Sequence, residues 1–480
     1  MESGPITIHG WSFNEVYITF KDDITDFSEA FDGCKALTEI PENLFANCPK
    51  VNTFFQTFAF CKSLKSIPTG LFANNPEVTD FSGTFRNCST LKSIPENLFA
   101  NCPKVTDFSE TFDGCANLTS IPENLFANCP KVTTFGRHSR AYFSGAFSNC
   151  TSLTTIPEKL FAHNTEVTDF ERTFSGCSAL KSIPENLFAN CPKATDFSFT
   201  FGTCNSLSAI PEKLFAHNPA VTDFYATFRE CSTLKSIPEK LFANNPAVTA
   251  FGALYSYDTG TFQGCTSLTT IPENLFANCP NVTIFYETFS GCSSLTSIPE
   301  NLFASNPKVT NFAYTFMECS TLKSIPEKLF TNNPAVTTFA STFYGCSALE
   351  SIPEQLFANN PEVISLYRTF EGCTSLTTIP ENLFAHNPEV TDFSYTFKNC
   401  SALKSIPAGL FDNNRKVTDF SYTFKNCSAL TGESPYTMIG DQKVHIYERN
   451  NYLYIFSKIE NRTGTFSGCN GLTDLQSNSI

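Results

Sequence analysis

Hydrophobic and polar residues follow one short pattern that recurs many times along this chain. In one copy, Leu91 and Ile94 are apolar between polar neighbours, and Leu98 and Phe99 follow after Pro95. The first pair predicts a short extended segment with one buried face. Proline is tolerated at the first position of a helix, because the N–H group that it lacks would have no partner there. We therefore expect a helical turn to begin at Pro95.

The second half of the same pattern has a different spacing of apolar residues. Val105, Phe108, Phe112 and Cys115 are separated by three, four and three residues, which is the period of one helical face. Gly114 stands where glycine commonly ends a helix, because glycine adopts the left-handed conformation without strain. The spacing predicts a second short helix whose apolar face is buried.

Cysteine marks the length of the repeat. A first column runs from Cys34 to Cys427 at intervals of 27 residues, with two longer intervals of 35 and 34, and Cys469 restarts it after 42 residues. One copy cannot cover its own apolar face, so neighbouring copies must stack and seal each other. The chain is therefore predicted to form a right-handed solenoid in which each copy is one turn.

Departures from the pattern predict the domain organisation. Residues 1–24 are expected to form an N-terminal cap, 25–430 a single repeat solenoid, and 431–480 a C-terminal cap. Caps are needed because an exposed apolar end of a solenoid would aggregate. Within the C-terminal cap, residues 443–456 alternate like a β-hairpin, with 448–451 as its turn.

The positions of the cysteines argue against disulfides and zinc. The first column repeats once per turn, so each thiol would have equivalent neighbours above and below and pairing would be arbitrary. In a second column, fourteen residues after the first, asparagine replaces cysteine freely, as at Asn75 and Asn218. No C-x-x-C spacing and no cluster of Cys and His indicates zinc. We favour a ladder of small buried thiols.

The residues Val105–Pro122 and Val390–Pro407 both read V-T-D-F-S-x-T-F-x-x-C-x-x-L-x-x-I-P. This phrase resembles the BspA-like leucine-rich repeat proteins of bacterial surfaces, and the likeness covers nearly the whole chain. The resemblance implies an α/β fold, a right-handed leucine-rich-repeat-like solenoid with short parallel strands and short helical turns. It also implies surface display and a role as an adhesin or binding protein.

Charge and hydropathy narrow the partners and the location. Acidic residues outnumber basic ones by 46 to 32, giving a net charge of −14, so nucleic acid would be repelled. No apolar run is long enough for a transmembrane helix. No signal peptide or lipid-attachment cysteine is visible. We expect a cell-surface or secreted protein whose signal or anchor has been removed.

Catalytic and cofactor motifs are missing from the sequence. It contains no G-x-S-x-G, H-E-x-x-H, P-loop or dinucleotide-binding pattern. One column of glutamates, such as Glu96, follows the proline, and one column of aspartates includes Asp80 and Asp107. Both are better explained by capping of turns than by metal binding. We predict that the protein is not an enzyme and carries no cofactor or metal.

One variable column suggests a binding site. The outward position that holds Glu110 in one turn holds an aromatic residue in others, namely Phe199, Tyr314, Tyr395 and Tyr422. Exposed aromatic residues indicate a candidate binding surface. Tyr395 and Tyr422 stand in adjacent turns and could offer a pair of rings to a sugar or to an apolar side chain of a protein. Packing between turns explains the same residues equally well.

Two insertions, near 136–143 and 252–260, begin at the same point of the repeat. Loops that extend from a rigid scaffold are natural ligand contacts. The candidate ligand-binding residues in the insertions are Arg137, His138, Arg140, Tyr255 and Tyr257. Neutral drift of loop sequence is the alternative explanation.

These observations predict a non-catalytic binding protein that recognises a protein or carbohydrate ligand on host or neighbouring cells. A structural spacer, or a surface-layer repeat protein without a specific ligand, is the alternative function.

Overall fold

The computed structural model describes residue 20 and residues 22–136, 144–253 and 259–475. Most of the predicted N-terminal cap lies outside these residues. Contacts divide the chain into two compact units, Met1–Leu234 with Lys240–Ala247, and Lys235–Glu239 with Val248–Ile480. Within each unit, successive copies of the repeat stack as turns.

Parallel backbone bridges join each turn to the next at one fixed position. In the first unit they run from Asp26–Thr53 to Asp196–Asp223, and in the second from Ala250–Ile284 to Asp419–Asn461. Each bridge joins single residues and lies in the second half of the repeat, as at Asp107, and not in the extended segment predicted at Leu91–Ile94. The bridging residues lie next to buried Val and Phe columns, which place this position at the edge of the core.

The second half of the repeat is not helical, contrary to the prediction from its apolar spacing. Amide groups alternate in direction: Phe81, Gly83 and Phe85 donate to carbonyls of the following turn at 2.8 to 3.1 Å. The alternate amides, those of Thr84 and Arg86, donate to carbonyls three residues earlier at 3.1 and 3.0 Å. An α-helix needs every amide for bonds four residues apart. Because the amides of Phe81, Gly83 and Phe85 donate to the next turn, no helix can form.

The first half also consists of single turns. Leu98, Ala100 and Cys102 each donate to a carbonyl three residues earlier, at 3.3, 3.2 and 3.1 Å. Amides between these donors make no such bond, so the turn does not propagate. Across the described part of the repeats no α-helix is present. The predicted helical turns are thus hydrogen-bonded turns.

Three columns of phenylalanine form the core of each unit. In the first unit, Phe81, Phe85 and Phe99 stand for the three columns, and each ring stacks on its equivalent in the next turn at 5.6 to 6.2 Å. Rings of different columns meet at a tilt, as Phe81 and Phe99 do at 4.7 Å. Burial of each ring contributes about 2 kcal/mol, and offset or tilted ring pairs add to this. These three columns contain most of the 51 phenylalanines of the chain.

Small polar side chains fill the rest of the core. Nδ2 of Asn75 donates to the carbonyls of Phe45 and Cys48 in the preceding turn, at 3.3 and 2.8 Å. Where cysteine replaces asparagine, as at Cys102, the thiol approaches the equivalent carbonyls at 3.7 and 3.9 Å. All 21 cysteines are buried free thiols, which confirms the interpretation as a ladder.

The C-terminal cap contains the regular elements of the described chain. Strand β1, Thr431–Gly432, pairs in parallel with β4, Gly471–Leu472. Between them, β2, Tyr436–Ile439, and β3, Gln442–His445, form an antiparallel hairpin, followed by a 3₁₀ helix, Ile446–Asn451.

The hairpin turns earlier than the alternating pattern predicts. Gly440, with φ +60°, lies in the turn, whereas 448–451 belong to the 3₁₀ helix. The alternation of apolar and polar residues continues past the hairpin, but the chain does not. Glu448 accepts the amide of His445 at 3.0 Å, and the 3₁₀ helix starts there. The predicted turn at 448–451 was therefore wrong.

Arg449 ends the hydrogen-bonded ladder of the core. It donates to the carbonyls of Asn414 and Phe411 at 3.2 and 2.9 Å, the same two backbone positions that an asparagine of the next turn would contact. It also donates to Thr437 at 3.2 Å, and its guanidinium lies 4.3 Å from the centre of the Phe456 ring. Burial lowers the pKa of Arg449 to about 10. Its two donor groups take the place of the asparagine amide that a following turn would supply.

We expect Arg449→Met to destabilise the protein by about 3 kcal/mol, because two buried carbonyls lose their donors while the apolar packing is largely kept. Urea unfolding would measure the loss, with Lys458→Gln, an exposed change in the same cap, as control. Hydrogen exchange should accelerate first in the turn that contains Phe411. A loss no larger than that of the control would contradict the capping role.

Thiol labelling tests the cysteine ladder. Burial raises the pKa of Cys61 and Cys102 to about 12, so at neutral pH these thiols should react with an aromatic disulfide reagent only after denaturation. We expect none of the 21 buried thiols to react fast in the native protein and all of them to react once it is denatured. Fast labelling of many thiols in the native protein would show that the ladder is open.

Candidate binding face

The aromatic column predicted from the sequence adopts left-handed backbone conformation. Phe199, Tyr314, Tyr395 and Tyr422 have φ between 55° and 61°. This conformation costs roughly 1 kcal/mol or more for residues other than glycine. The four side chains are half-buried and not freely exposed. The prediction that these rings are exposed was therefore wrong.

The reason for the partial burial is that each side chain lies over the next turn. A Cβ atom added to Gly464 would lie 2.8 Å from Cε1 of Tyr422, so the ring of Tyr422 occupies the space above this glycine. Gly464 has φ +60° and stands at the equivalent position one turn later. The missing side chain leaves room for the ring. Packing between turns, the alternative left open by the sequence, is thus part of what these rings do.

In the second unit, tyrosines of three successive turns meet. The ring centres of Tyr367 and Tyr395 are 5.8 Å apart, and those of Tyr395 and Tyr422 are 4.9 Å apart with a tilt of 40°. This brings two of the predicted residues together, as the sequence suggested. Tyr367 stands one position earlier in its turn than Tyr395 and Tyr422 do in theirs.

Cations cover these tyrosine rings. The Arg368 guanidinium lies 4.8 Å and the Lys398 ammonium 4.9 Å from the ring centre of Tyr395, and Lys425 lies 4.8 Å from that of Tyr422. Cation–π contacts at this distance are favourable by roughly 0.5–1 kcal/mol at exposed sites. The rings therefore hold three positive groups in fixed places. The residues of this aromatic–cation face are Tyr367, Arg368, Glu371, Tyr395, Lys398, Tyr422 and Lys425.

Glu371 organises the cations at one end of the face. Its side chain is almost completely buried, and its carboxylate lies 2.9 Å from the ammonium of Lys398 and 3.4 Å from Nε of Arg368. A buried carboxylate needs such compensation. Two cations share one carboxylate, so this end of the aromatic–cation face keeps an excess of positive charge.

The remaining predicted residues lie apart from this face. Tyr314 is three turns before Tyr395 and contacts Tyr286, with ring centres 5.2 Å apart. Phe199 belongs to the first unit, where the guanidinium of Arg172 lies 3.9 Å from its ring centre. The candidates of the insertions lie outside the described residues: Arg137, His138, Arg140, Tyr255 and Tyr257.

The aspartate column caps turns, as predicted. Oδ1 of Asp80 accepts the amide of Ser82 at 2.7 Å, and Asp107 does the same for Ser109. The same contact recurs at other aspartates of the column. Within the described ranges, no group of three Cys, His, Asp or Glu side chains is arranged to hold a metal ion.

The C-terminal cap assembles a polar cluster that sequence reasoning missed. Nδ1 of His445 lies 2.8 Å from Oγ of Ser434 and 3.2 Å from Asp474, and Ser434 also donates to Asp474. In a hydrolytic triad the two imidazole nitrogens separate the nucleophile from the carboxylate. Here Ser434 and Asp474 meet the same nitrogen, so the cluster ties chain segments together. No local signal marks it, because Ser434 and Asp474 are 40 residues apart.

A shallow groove and a few apolar side chains complete the surface features of the described residues. The groove, of about 950 Å³, lies in the first unit between Ala46 and Pro130 and is lined by the Ala, Asn and Pro side chains of four successive turns. The exposed large apolar residues are Ile364, Met438, Leu453 and Tyr454. In the part of the chain that is described, no helix is long and apolar enough to cross a bilayer.

Comparison with protein families gave two matches. The family described as BspA type leucine rich repeat region matches in six copies, over residues 16–154, 148–268 and 181–337. A family described as a Mycoplasma protein of unknown function matches residues 310–437. Among curated proteins the search gave no significant match.

Comparison with solved structures gave matches that include leucine-rich repeat proteins. A leucine-rich repeat protein of Bacteroides ovatus is 21% identical over 93% of this chain and 90% of its own, with a TM-score of 0.39. One of Leptospira interrogans is 11% identical over 92% and 96%, with a TM-score of 0.42. A chain of the Drosophila Toll–Spätzle complex is 16% identical over 84% of this chain, at a TM-score of 0.43, and this chain spans 50% of its length.

Protonation of the aspartate column gives a testable pH dependence. Burial, and then the neighbouring Asp196, raise the pKa of Asp223 to about 6. Because the unfolded chain ionises at lower pH, the contribution of this group to stability falls as pH rises from about 4 to 6. We expect Asp223→Asn to remove that slope and to stabilise the protein by about 2 kcal/mol at pH 7.

The matched control is Asp80→Asn, at the same position of an earlier turn, which reports the effect of the amide alone. Urea unfolding of both variants between pH 4 and 8 would give the two slopes. An unchanged slope in Asp223→Asn would contradict the assignment.

Proposed function

The chain belongs to the BspA-type leucine-rich repeat family, and from this membership we propose that it is a surface or secreted protein that binds a ligand without catalysis. The proposed ligand is a protein or glycan of a host or neighbouring cell. Repeat proteins present regular, extended faces on which neighbouring turns contribute side chains to one binding surface. The proposed binding surface is the aromatic–cation face.

One observation carries this choice of site. Arg368 lies against a tyrosine ring of the next turn, and Lys398 and Lys425 lie against tyrosine rings of their own turns, on a protein whose net charge is −14. Side chains held by neighbours lose little conformational freedom when a ligand binds, so their contacts with it cost less entropy. Aromatic residues and arginine are also the types that contribute most to known interfaces. The face therefore combines rigidity with groups suited to recognition.

A structural spacer remains the second candidate, and the packing of Tyr422 over Gly464 favours it. If the rings serve only to join turns, the protein needs no ligand. The two functions differ in one measurable property, which is saturable binding.

Binding of the full chain to host matrix proteins and to a glycan array tests the proposal. We expect a ligand whose affinity falls at least tenfold when Tyr367, Tyr395 and Tyr422 are changed to serine, because the face loses its rings and the support of its cations. The control variant, Tyr452→Ser with Tyr454→Ser, removes two tyrosines from the C-terminal cap. Circular dichroism and thermal unfolding would establish that both variants are folded.

Binding that survives in the folded triple variant would move the site away from the aromatic–cation face. No saturable binding by the unaltered protein to any of these ligands would support the spacer function instead.

A further inference from the structure

We propose that the ligand of the aromatic–cation face is an acidic glycan, a linear polysaccharide that carries carboxylate or sulfate groups. This inference rests on the proposed function and specifies the chemistry of the same site. Its basis is the way in which successive turns present their cations and amides.

The tyrosine rings themselves are not free to stack on a sugar. The ring of Tyr395 has Arg368 and Lys398 within 4.9 Å of its centre and two further tyrosines within 5.8 Å. What this face presents to a ligand is therefore the charged groups that cover the rings. Arg368 and Lys398 share the carboxylate of Glu371, which cannot neutralise both. Lys425 adds a third positive charge one turn later.

Acidic groups near the face are engaged elsewhere. Asp392 and Asp419 belong to the bridging column and precede the tyrosines in their turns. Oδ1 of Asp392 accepts the amide and the hydroxyl of Ser394 at 2.8 and 2.6 Å, and Asp419 accepts the amide of Ser421 at 2.7 Å. These carboxylates keep their charge but form no ion pair with Arg368, Lys398 or Lys425. Among the described residues, Glu371 is the one carboxylate paired with the cations of the face.

Amides flank the cations on the other side. Asn399 and Asn426 follow Lys398 and Lys425 in sequence, and Nδ2 of Asn426 donates to Oδ1 of Asn399 at 2.9 Å. This contact leaves Nδ2 of Asn399 and Oδ1 of Asn426 with hydrogen-bonding capacity for hydroxyl groups. A column of cations beside a column of amides matches a polymer that carries one anionic group and several hydroxyls in each repeating unit.

Repetition of the same contact in successive turns favours a glycan over an acidic protein. In two successive turns a lysine lies over the tyrosine ring three residues before it, Lys398 at 4.9 Å and Lys425 at 4.8 Å from the ring centre. A linear polysaccharide presents identical groups at constant intervals, so it can contact several turns in the same way. Protein interfaces usually depend on apolar anchors in pockets. None of the residues of this face is among the exposed large apolar side chains of the described chain.

Binding of the full chain to heparin, polygalacturonate, neutral dextran and polyglutamate tests the inference. We expect binding to at least one of the acidic polysaccharides, weakening as salt is raised, with dextran not bound. Changing Arg368, Lys398 and Lys425 to glutamine should weaken it at least tenfold. The same change at Lys181, Lys323 and Lys404, three exposed lysines of the repeat, keeps the total charge equal and should have no effect.

The other results would overturn the inference in distinguishable ways. Two results would leave a binding protein but not one that selects acidic glycans through this face. One is equal binding of dextran, and the other is an equal loss of affinity in the variant of the face and in the control variant. Stronger binding of polyglutamate would indicate an acidic protein ligand. If none of these probes binds while a host protein does, the proposed function stands and the glycan is excluded. If nothing binds, both fail.

Discussion

The structure depends on one constraint: many polar backbone groups buried within a turn are satisfied by the neighbouring turns and have no partner in their own. Asn75 donates to two carbonyls of the turn before it, and the amides of Phe81, Gly83 and Phe85 donate to the turn after it. An unpaired buried carbonyl costs about 1–3 kcal/mol. A single copy of the repeat therefore cannot fold alone. The regular sequence follows from this, since each turn must offer the same donors at the same places.

The same constraint explains which positions vary and how the ladder ends. Cysteine can replace asparagine because a thiol still approaches the carbonyls, although at 3.7 to 3.9 Å for Cys102 its hydrogen bonds are weak. Asn414 is the last member of the asparagine column in the described residues, and Arg449 supplies two donors to Phe411 and Asn414 from a 3₁₀ helix outside the repeat pattern. A cap is thus recognised by the donors it brings as well as by the apolar surface it covers.

Sequence predicted the stacked repeat and its core but not the local backbone. Cysteine spacing and the phenylalanine columns were sufficient for the stack, because every buried side chain repeats with it. The spacing of Val105, Phe108 and Phe112 predicted a helix, but alternate amides bond to the next turn, and side-chain periodicity carries no information about that choice. Arg449 and the Ser434 cluster were not predicted either, because their partners lie tens of residues away in sequence.

For the candidate site, sequence identified the column but not what the column does. Tyr395 and Tyr422 were chosen because their position varies, yet each side chain at that position lies over the next turn, so its surroundings are set by a residue 27 or more positions later. The cations on the ring of Tyr395 come from two turns, Arg368 from the preceding turn and Lys398 from its own. Specificity in such a stack therefore belongs to combinations of adjacent turns. Two copies with identical sequence can differ in binding when their neighbours differ, which is how a protein built from one repeated phrase can carry a local site.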